Sequence, residues 1–270
     1  MVNFSKTFNG GTLRHSFQCI RYMIYNFSAL GLVRISCLCI VSILFLSLES
    51  CKKSTMPTVG STTNPPPSQQ KRILALGDSY TIGESLSEPE RFPNRTISIL
   101  TASSINLKYP SQIIARTGWT TQNLLNELAV SGNMLTPPYD IVTLLIGLND
   151  QFQRVDTAIY RVRFLQCLNK AIDYTGSKKE RVFVLSIPDY SVTPFGAGNA
   201  EQIAREIDWF NAINKQVTLQ MGINYTDITP SSRMAATDRT LLAPDSLHPS
   251  GKEYLKWANF LAPKILPLLQ

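Results

Sequence analysis

Ile73-Leu74-Ala75-Leu76-Gly77-Asp78-Ser79-Tyr80 is an apolar run that stops at a glycine, an acid and a serine. Four apolar residues of strand character followed by turn-forming residues read as a strand emptying into a loop, with Ser79 just past its end. A serine hydroxyl is a weak nucleophile until a base takes its proton, and imidazole is the side chain suited to that work near neutrality. Once the N-terminal segment with His15 is set aside, the chain has a single histidine, His248, in Asp245-Ser246-Leu247-His248-Pro249-Ser250. A spacing of three lets one turn aim the Asp245 carboxylate at one ring nitrogen while the other faces a serine. The same residues also have plain readings. Gly-Asp-Ser is common turn chemistry, Asp245 can simply cap a turn, and a lone histidine is often structural.

Two further stretches have the character of donors to a developing oxyanion. Gly147-Leu148-Asn149-Asp150 closes the apolar run 141–146, and Gly118 follows Ile113-Ile114-Ala115-Arg116-Thr117. Alone, a glycine marks a bend and Asn-Asp caps a helix as readily as it does chemistry. In order, however, Gly77-Asp78-Ser79, Gly118, Gly147-Leu148-Asn149-Asp150 and Asp245-Ser246-Leu247-His248 resemble the four blocks of the SGNH, or GDSL, hydrolase family over residues 71–270. The resemblance implies Ser79 as nucleophile, His248 as base and Asp245 as its orienting acid. It also implies an oxyanion hole of the Ser79 and Gly118 backbone N–H groups with the Asn149 amide. Residues 77–86, 149–152 and 186–195 further resemble a bacterial lipoprotein branch of that family with esterase-like members, which names no substrate. Asp78 is expected to brace the turn rather than exchange protons.

The rest of the domain fits an α/β class. Strand candidates at 73–76, 111–115, 141–146, 182–187 and 223–225 alternate with helix candidates at 94–102, 121–131, 157–174, 201–220 and 250–268. Such alternation implies a parallel sheet covered on both faces. We therefore expect a three-layer α/β/α, flavodoxin-like sheet of five strands, the order 2-1-3-4-5 being what the resemblance implies. Ser79, Gly118, Asn149 and Asp189-Tyr190 follow successive strands, so they converge on the carboxyl edge where such sheets bind ligands. The α/β-hydrolase fold shares the Ser, Asp, His order, but no serine here sits in a Gly-x-Ser-x-Gly elbow. Gly196-Ala197-Gly198 lacks the third glycine of a dinucleotide fingerprint and reads as a loop.

Composition bounds the partners. The 270 residues are 44% hydrophobic and 17% charged, enough for one substantial core. The formal charge of +7 falls to +4 once residues 1–50, with four of the basic side chains, are removed. Without a basic cluster this gives no reason to expect nucleic acid. Oligomeric state is not legible. One histidine and one cysteine, Cys167, remain in the domain, too few for a zinc site on the usual ligand patterns. No metal or cofactor is required by the expected chemistry. Cys167 lies in the helical run 158–172 and reads as a small buried hydrophobe.

Residues 1–50 read as a signal segment. Arg34 precedes fourteen mostly apolar residues, 35–48, too few for a membrane-spanning helix, and Leu48-Glu49-Ser50-Cys51 resembles a lipobox with Cys51 as the lipidated residue. Glu49 departs from the small residue usual there, Met23 is a second candidate start, and an uncleaved anchor is the alternative. Residues 52–70, rich in Ser, Thr and Pro, read as a linker with an r.m.s. reach of roughly 25 Å. The expectation is an exported, lipid-tethered domain of the bacterial cell envelope spanning 71–270. Its substrate would be a small-molecule or glycan ester, first of all acetyl groups on glycans, with lysophospholipids or thioesters as the alternative. Trp119, Phe152, Tyr190 and Phe195 are candidates to line an acyl or sugar pocket. A glycan-binding module without catalysis is the contrasting class, and it would be favoured by loss of Ser79 or His248.

Overall fold

The computed structural model describes residues 69–270. The signal segment, Cys51 with its lipobox-like context and nearly all of the linker lie outside the described residues. Five parallel strands form one sheet in the order β2-β1-β3-β4-β5, with β1 Ile73–Asp78, β2 Gln112–Arg116, β3 Ile141–Leu145, β4 Val182–Leu185 and β5 Asn224–Thr226. Every residue of β1, β3 and β4 is buried, as parallel strands covered on both faces require. The edge strand β2 is partly exposed and correspondingly mixed in sequence.

The helices are α1 Ser79–Ile82, α2 Phe92–Ala102, α3 Thr121–Ser131, α4 Leu148–Phe152, α5 Thr157–Tyr174, α6 Ala200–Gln220, α7 Thr229–Arg233 and α8 Gly251–Leu269. Strand order decides which face each covers. The connection from β1 to β2 runs one way across the sheet, and those from β2 to β3, β3 to β4 and β4 to β5 run the other. Because such crossovers are right-handed, α2 falls on one face and α3, α5 and α6 on the opposite face. The packing agrees: α2 lies against α8, while α3, α5 and α6 pack in sequence. Phe92, Tyr254 and Trp257 form an aromatic cluster in the first layer, and Tyr160, Phe164 and Phe210 one in the second. The three-layer expectation and its strand order therefore hold.

Boundaries differ where burial and pairing part company. Ile146, Ser186 and Ile187 are buried but lie past the strand ends, with Ser186 still donating its N–H to the Thr226 carbonyl at 3.0 Å, because the apolar pattern reports burial and not strand pairing. The Ser111 N–H and hydroxyl both donate to Asn94 Oδ1, which takes Ser111 off the sheet and starts β2 one residue later than expected. The short helices α1, α4 and α7 were not expected, since four or five residues carry no helical period. Cys167 is buried on α5, with its Sγ 3.6 Å from the Thr121 carbonyl, and burial pushes its thiol pKa upward.

Candidate active site

The first element of the site is the junction of β1 and α1. Gly77 has no room for a side chain, since a Cβ would stand 2.1 Å from Thr81 Oγ1 and 2.3 Å from the Leu145 carbonyl. That close approach lets α1 start directly at the strand end. Asp78 caps it by accepting the Tyr80 N–H at 3.0 Å, as the expected brace. Ser79 is the first residue of α1, so its N–H has no partner within the helix.

The second element is the turn before α8. Asp245 Oδ1 accepts the N–H groups of Leu247 and His248, both at 2.9 Å. Its Oδ2 meets His248 Nδ1 at 2.8 Å, and His248 Nε2 meets Ser79 Oγ at 2.9 Å. Turn cap and ring partner, alternatives in the sequence, are thus two oxygens of one carboxylate. Ser85 donates to the same Oδ2 at 2.6 Å. Sequence reasoning missed Ser85. It reaches Asp245 because Gly83, at φ 67°, ends α1 and Ser85 itself adopts φ 66°, turning the chain back. With Nδ1–H donating to the carboxylate, Nε2 is free to accept the serine proton. The Tyr80 ring, 4.8 Å from the imidazole centroid, packs beside it.

The third element brings Gly118 and Asn149 to the same cleft. Gly118 holds φ +81°, a conformation that favours glycine, and open space lies where its Cβ would project. Asn149, in the first turn of α4, donates through Nδ2 to the Trp119 carbonyl at 3.1 Å, with Asp78 Oδ2 at 3.5 Å, the outer limit of a hydrogen bond. Beside it, Asp150 accepts from Thr121 N–H at 2.8 Å and Thr121 Oγ1 at 2.6 Å, which ties α4 to the start of α3. The cleft has a volume of about 140 Å³, and Ser79, Gly118, Asn149 and His248 all line it. Phe152, Tyr190 and Phe195 line it as well, as expected. Trp119 does not join them: its ring is partly buried against the core, and it is its carbonyl that touches the site. Tyr190 is positioned by Asp189, which accepts the Ser191 N–H at 2.8 Å and pairs with Arg233 Nε at 2.8 Å. Among the described residues no cluster of His, Cys, Asp and Glu could hold a metal ion.

The carboxylates divide electrostatically. Burial works against the charged form of Asp245, but hydrogen bonds from Ser85, the Leu247 and His248 N–H groups and the His248 ring outweigh it and hold its pKa down at about 2. At Asp78, burial dominates and pushes the pKa up to about 7, with Asp150 adding repulsion. Asp150 is also raised, chiefly by burial.

These shifts have opposite consequences for stability. Asp245 releases its proton more readily folded than unfolded, so its contribution is present above the ordinary value near 3.8 and is lost as pH falls towards 2. Asp78 holds its proton more tightly folded, so it lowers stability progressively from pH 3.8 to about 7. Thermal unfolding of Asp78→Asn against wild type should therefore show a difference that moves in favour of the variant as pH rises across this window. A difference independent of pH would contradict the assignment.

The chain is similar to known proteins in sequence pattern and in fold. The model of the GDSL-like lipase/acylhydrolase family covers residues 75–254. Similar solved structures include a family 3 carbohydrate esterase from Clostridium thermocellum, at TM-score 0.58 and 18% identity over 74% of this chain and 98% of that one. The lipase/acylhydrolase from Enterococcus faecalis has a TM-score of 0.57 and 19% identity over 74% and 97%. The acetylxylan esterase Axe2 from Geobacillus stearothermophilus has a TM-score of 0.53 and 17% identity over 72% and 94%. At these identities the structures speak for the fold. No curated protein sequence matches the chain. The family model takes in the end of β1 with Ser79 and the Asp245–His248 turn within a single span, and on that match the chain is a carboxylic ester hydrolase belonging to the GDSL-like lipase/acylhydrolase family.

Proposed function

We propose that the domain is a serine esterase that cleaves short-chain acyl esters through an acyl-enzyme. The observation that carries this reading is the continuous chain from Asp245 Oδ2 through both nitrogens of His248 to Ser79 Oγ, at 2.8 and 2.9 Å. In the proposed reaction His248 Nε2 takes the Ser79 proton as Oγ attacks the ester carbonyl. The tetrahedral intermediate collapses by expelling the alcohol, which receives that proton from His248. Water, deprotonated in turn by His248, then attacks the acyl-enzyme and releases the acid and free Ser79. The Ser79 and Gly118 N–H groups and the Asn149 amide are assigned to the oxyanion. For Asn149 this means that Nδ2 turns a hydrogen from its long contact with Asp78 towards the substrate, a weak interaction to give up.

Cleft size supports a short acyl group. At about 140 Å³ the space at Ser79 is well under the ~300 Å³ at which drug-sized ligand pockets begin, so a long chain would not be enclosed. Acetyl esters of glycans fit this reading, and an acetylxylan esterase and a carbohydrate esterase are among the similar structures. Lysophospholipid and thioester substrates are the alternative. The intact pairing of Ser79 with His248 argues against a binding module without catalysis.

Steady-state kinetics test the reading. Ser79→Ala and His248→Ala should each abolish hydrolysis of 4-nitrophenyl acetate, and the double variant should be no worse than the poorer single, since the pair acts as a unit. Asn149→Ala should lower kcat on the order of a hundredfold with little change in KM, because the amide would act on charge that exists only in the transition state. Full activity in Ser79→Ala would overturn the mechanism, and an effect of Asn149→Ala confined to KM would make that residue a substrate contact.

We further propose that the domain is exported and tethered through lipid on Cys51. The support is the apolar run 35–48 ending in Leu48-Glu49-Ser50-Cys51. Intact mass of the protein from membranes decides this: a chain beginning at Cys51 with acyl groups attached is expected, and a chain that retains residues 1–50 would contradict it.

A further inference from the structure

Beyond the wall of the catalytic cleft lies a second and larger cavity, of about 270 Å³. The two spaces share Phe152, Tyr190 and Phe195, whose ring centroids lie 5.9 to 6.3 Å apart. Phe152 is 51% and Phe195 58% exposed, so both keep a face in solvent at the point where the two spaces meet. Exposed apolar surface that rims a cavity with polar walls is characteristic of a ligand groove.

The chemistry of the second cavity differs from that of the first. Its lining residues include the acid Glu206, the base Arg154 and the amide residues Gln151, Asn199 and Gln202. Glu206 is held in place by Gln151 Nε2 at 2.6 Å and Gln202 Nε2 at 2.8 Å. Those hydrogen bonds lower its pKa and keep it an ionised acceptor. Arg154, exposed at φ 57°, lies two residues past the end of α4, the helix that carries Asn149. A fixed carboxylate acceptor, a guanidinium donor and several amides around one space match a group that both donates and accepts hydrogen bonds at many positions. Such a cavity is a poor host for an acyl chain, since methylenes would displace water from the Arg154 guanidinium without pairing it.

We infer that this cavity is a subsite for the hydroxylated portion of the substrate, a sugar ring of the alcohol expelled as Ser79 takes the acyl group. A substrate lying across the aromatic wall places its ester carbonyl at Ser79 and its short acyl group in the apolar cleft. The C–H face of the neighbouring sugar then rests on Phe152 or Phe195, and its hydroxyls reach Glu206 and Arg154. Aromatic faces are electronegative and suit the weakly positive C–H bonds of a sugar ring. This rests on Ser79 being the nucleophile.

The test compares two esters in wild type, Glu206→Gln, Arg154→Ala and Ser79→Ala. One is 4-nitrophenyl acetate, and the other is a xylo-oligosaccharide that carries acetyl groups and free hydroxyls. In Arg154→Ala and Glu206→Gln the ratio of kcat/KM for the oligosaccharide to that for 4-nitrophenyl acetate should fall at least tenfold, mainly through a higher KM for the oligosaccharide. Arg154 is exposed, so its variant remains informative should Glu206→Gln fold poorly. An unchanged ratio overturns the inference, as does a wild type that cleaves 4-nitrophenyl acetate through Ser79 but leaves the oligosaccharide intact. A changed preference among acetyl, butyryl and octanoyl 4-nitrophenyl esters without a change in the ratio would assign the cavity to the acyl chain and overturn it too. Wild type inert on both esters, or Ser79→Ala as active as wild type, would instead bring down the proposed mechanism itself.

Discussion

The imidazole of His248 has one ring nitrogen on a carboxylate and the other on a serine 169 residues away in sequence. That double contact places demands on the rest of the domain. Ser79 must stand at a strand end with its oxygen turned outward, which the close approach at Gly77 permits. The Asp245–His248 turn must be delivered from the far end of the chain to the same edge, and α8 anchors it from behind. Ser250 begins that helix by accepting the Glu253 N–H, and Tyr254 in its first turn donates to the Tyr80 carbonyl at 2.8 Å. One contact therefore links the helix that follows His248 to the helix that begins with Ser79.

Around this axis the protein sorts its acids by environment. Asp245 receives enough hydrogen bonds to stay charged despite partial burial, and a charged partner stabilises an imidazolium as it forms. Asp78 is one residue from Ser79, the proposed nucleophile, but it is buried, with the Tyr80 N–H and one long amide contact among its few donors, and burial raises its pKa to about 7. A permanent negative charge at that position would oppose the oxyanion assigned to the neighbouring cleft. Raising its pKa weakens that opposition. The acid adjacent to Ser79 in sequence thus serves the turn, while the distant one serves the ring.

Much of this was legible in the sequence because it rests on local chemistry. The β-branched runs and long helical periods located the strands and the five principal helices, and strand ends fell where Gly77, Gly118 and Gly147 interrupt the pattern. Ser79, Gly118, Asn149, Asp245 and His248 were visible as an ordered set. What escaped depends on contacts across the fold. Ser85 is unremarkable in sequence, and only the left-handed turn at Gly83 brings it to Asp245. Trp119 looked like a pocket residue by its type, yet the core claims its ring and the site uses its carbonyl. Arg154 and Glu206 stand 52 positions apart on different elements, and no spacing rule joins them. The strands at 141–146 and 182–187 were read too long, because burial continues past the last paired residues, Leu145 and Leu185.

The central claim is that His248 makes Ser79 nucleophilic. A fluorophosphonate reacts with an activated serine and leaves a covalent phosphonyl group, so its site can be read by peptide mass without knowledge of the natural substrate. The account predicts stoichiometric labelling at Ser79 in wild type, and loss of labelling in His248→Ala under the same conditions although Ser79 is still present. Labelling at another serine, or equal labelling of Ser79 with and without His248, would contradict it.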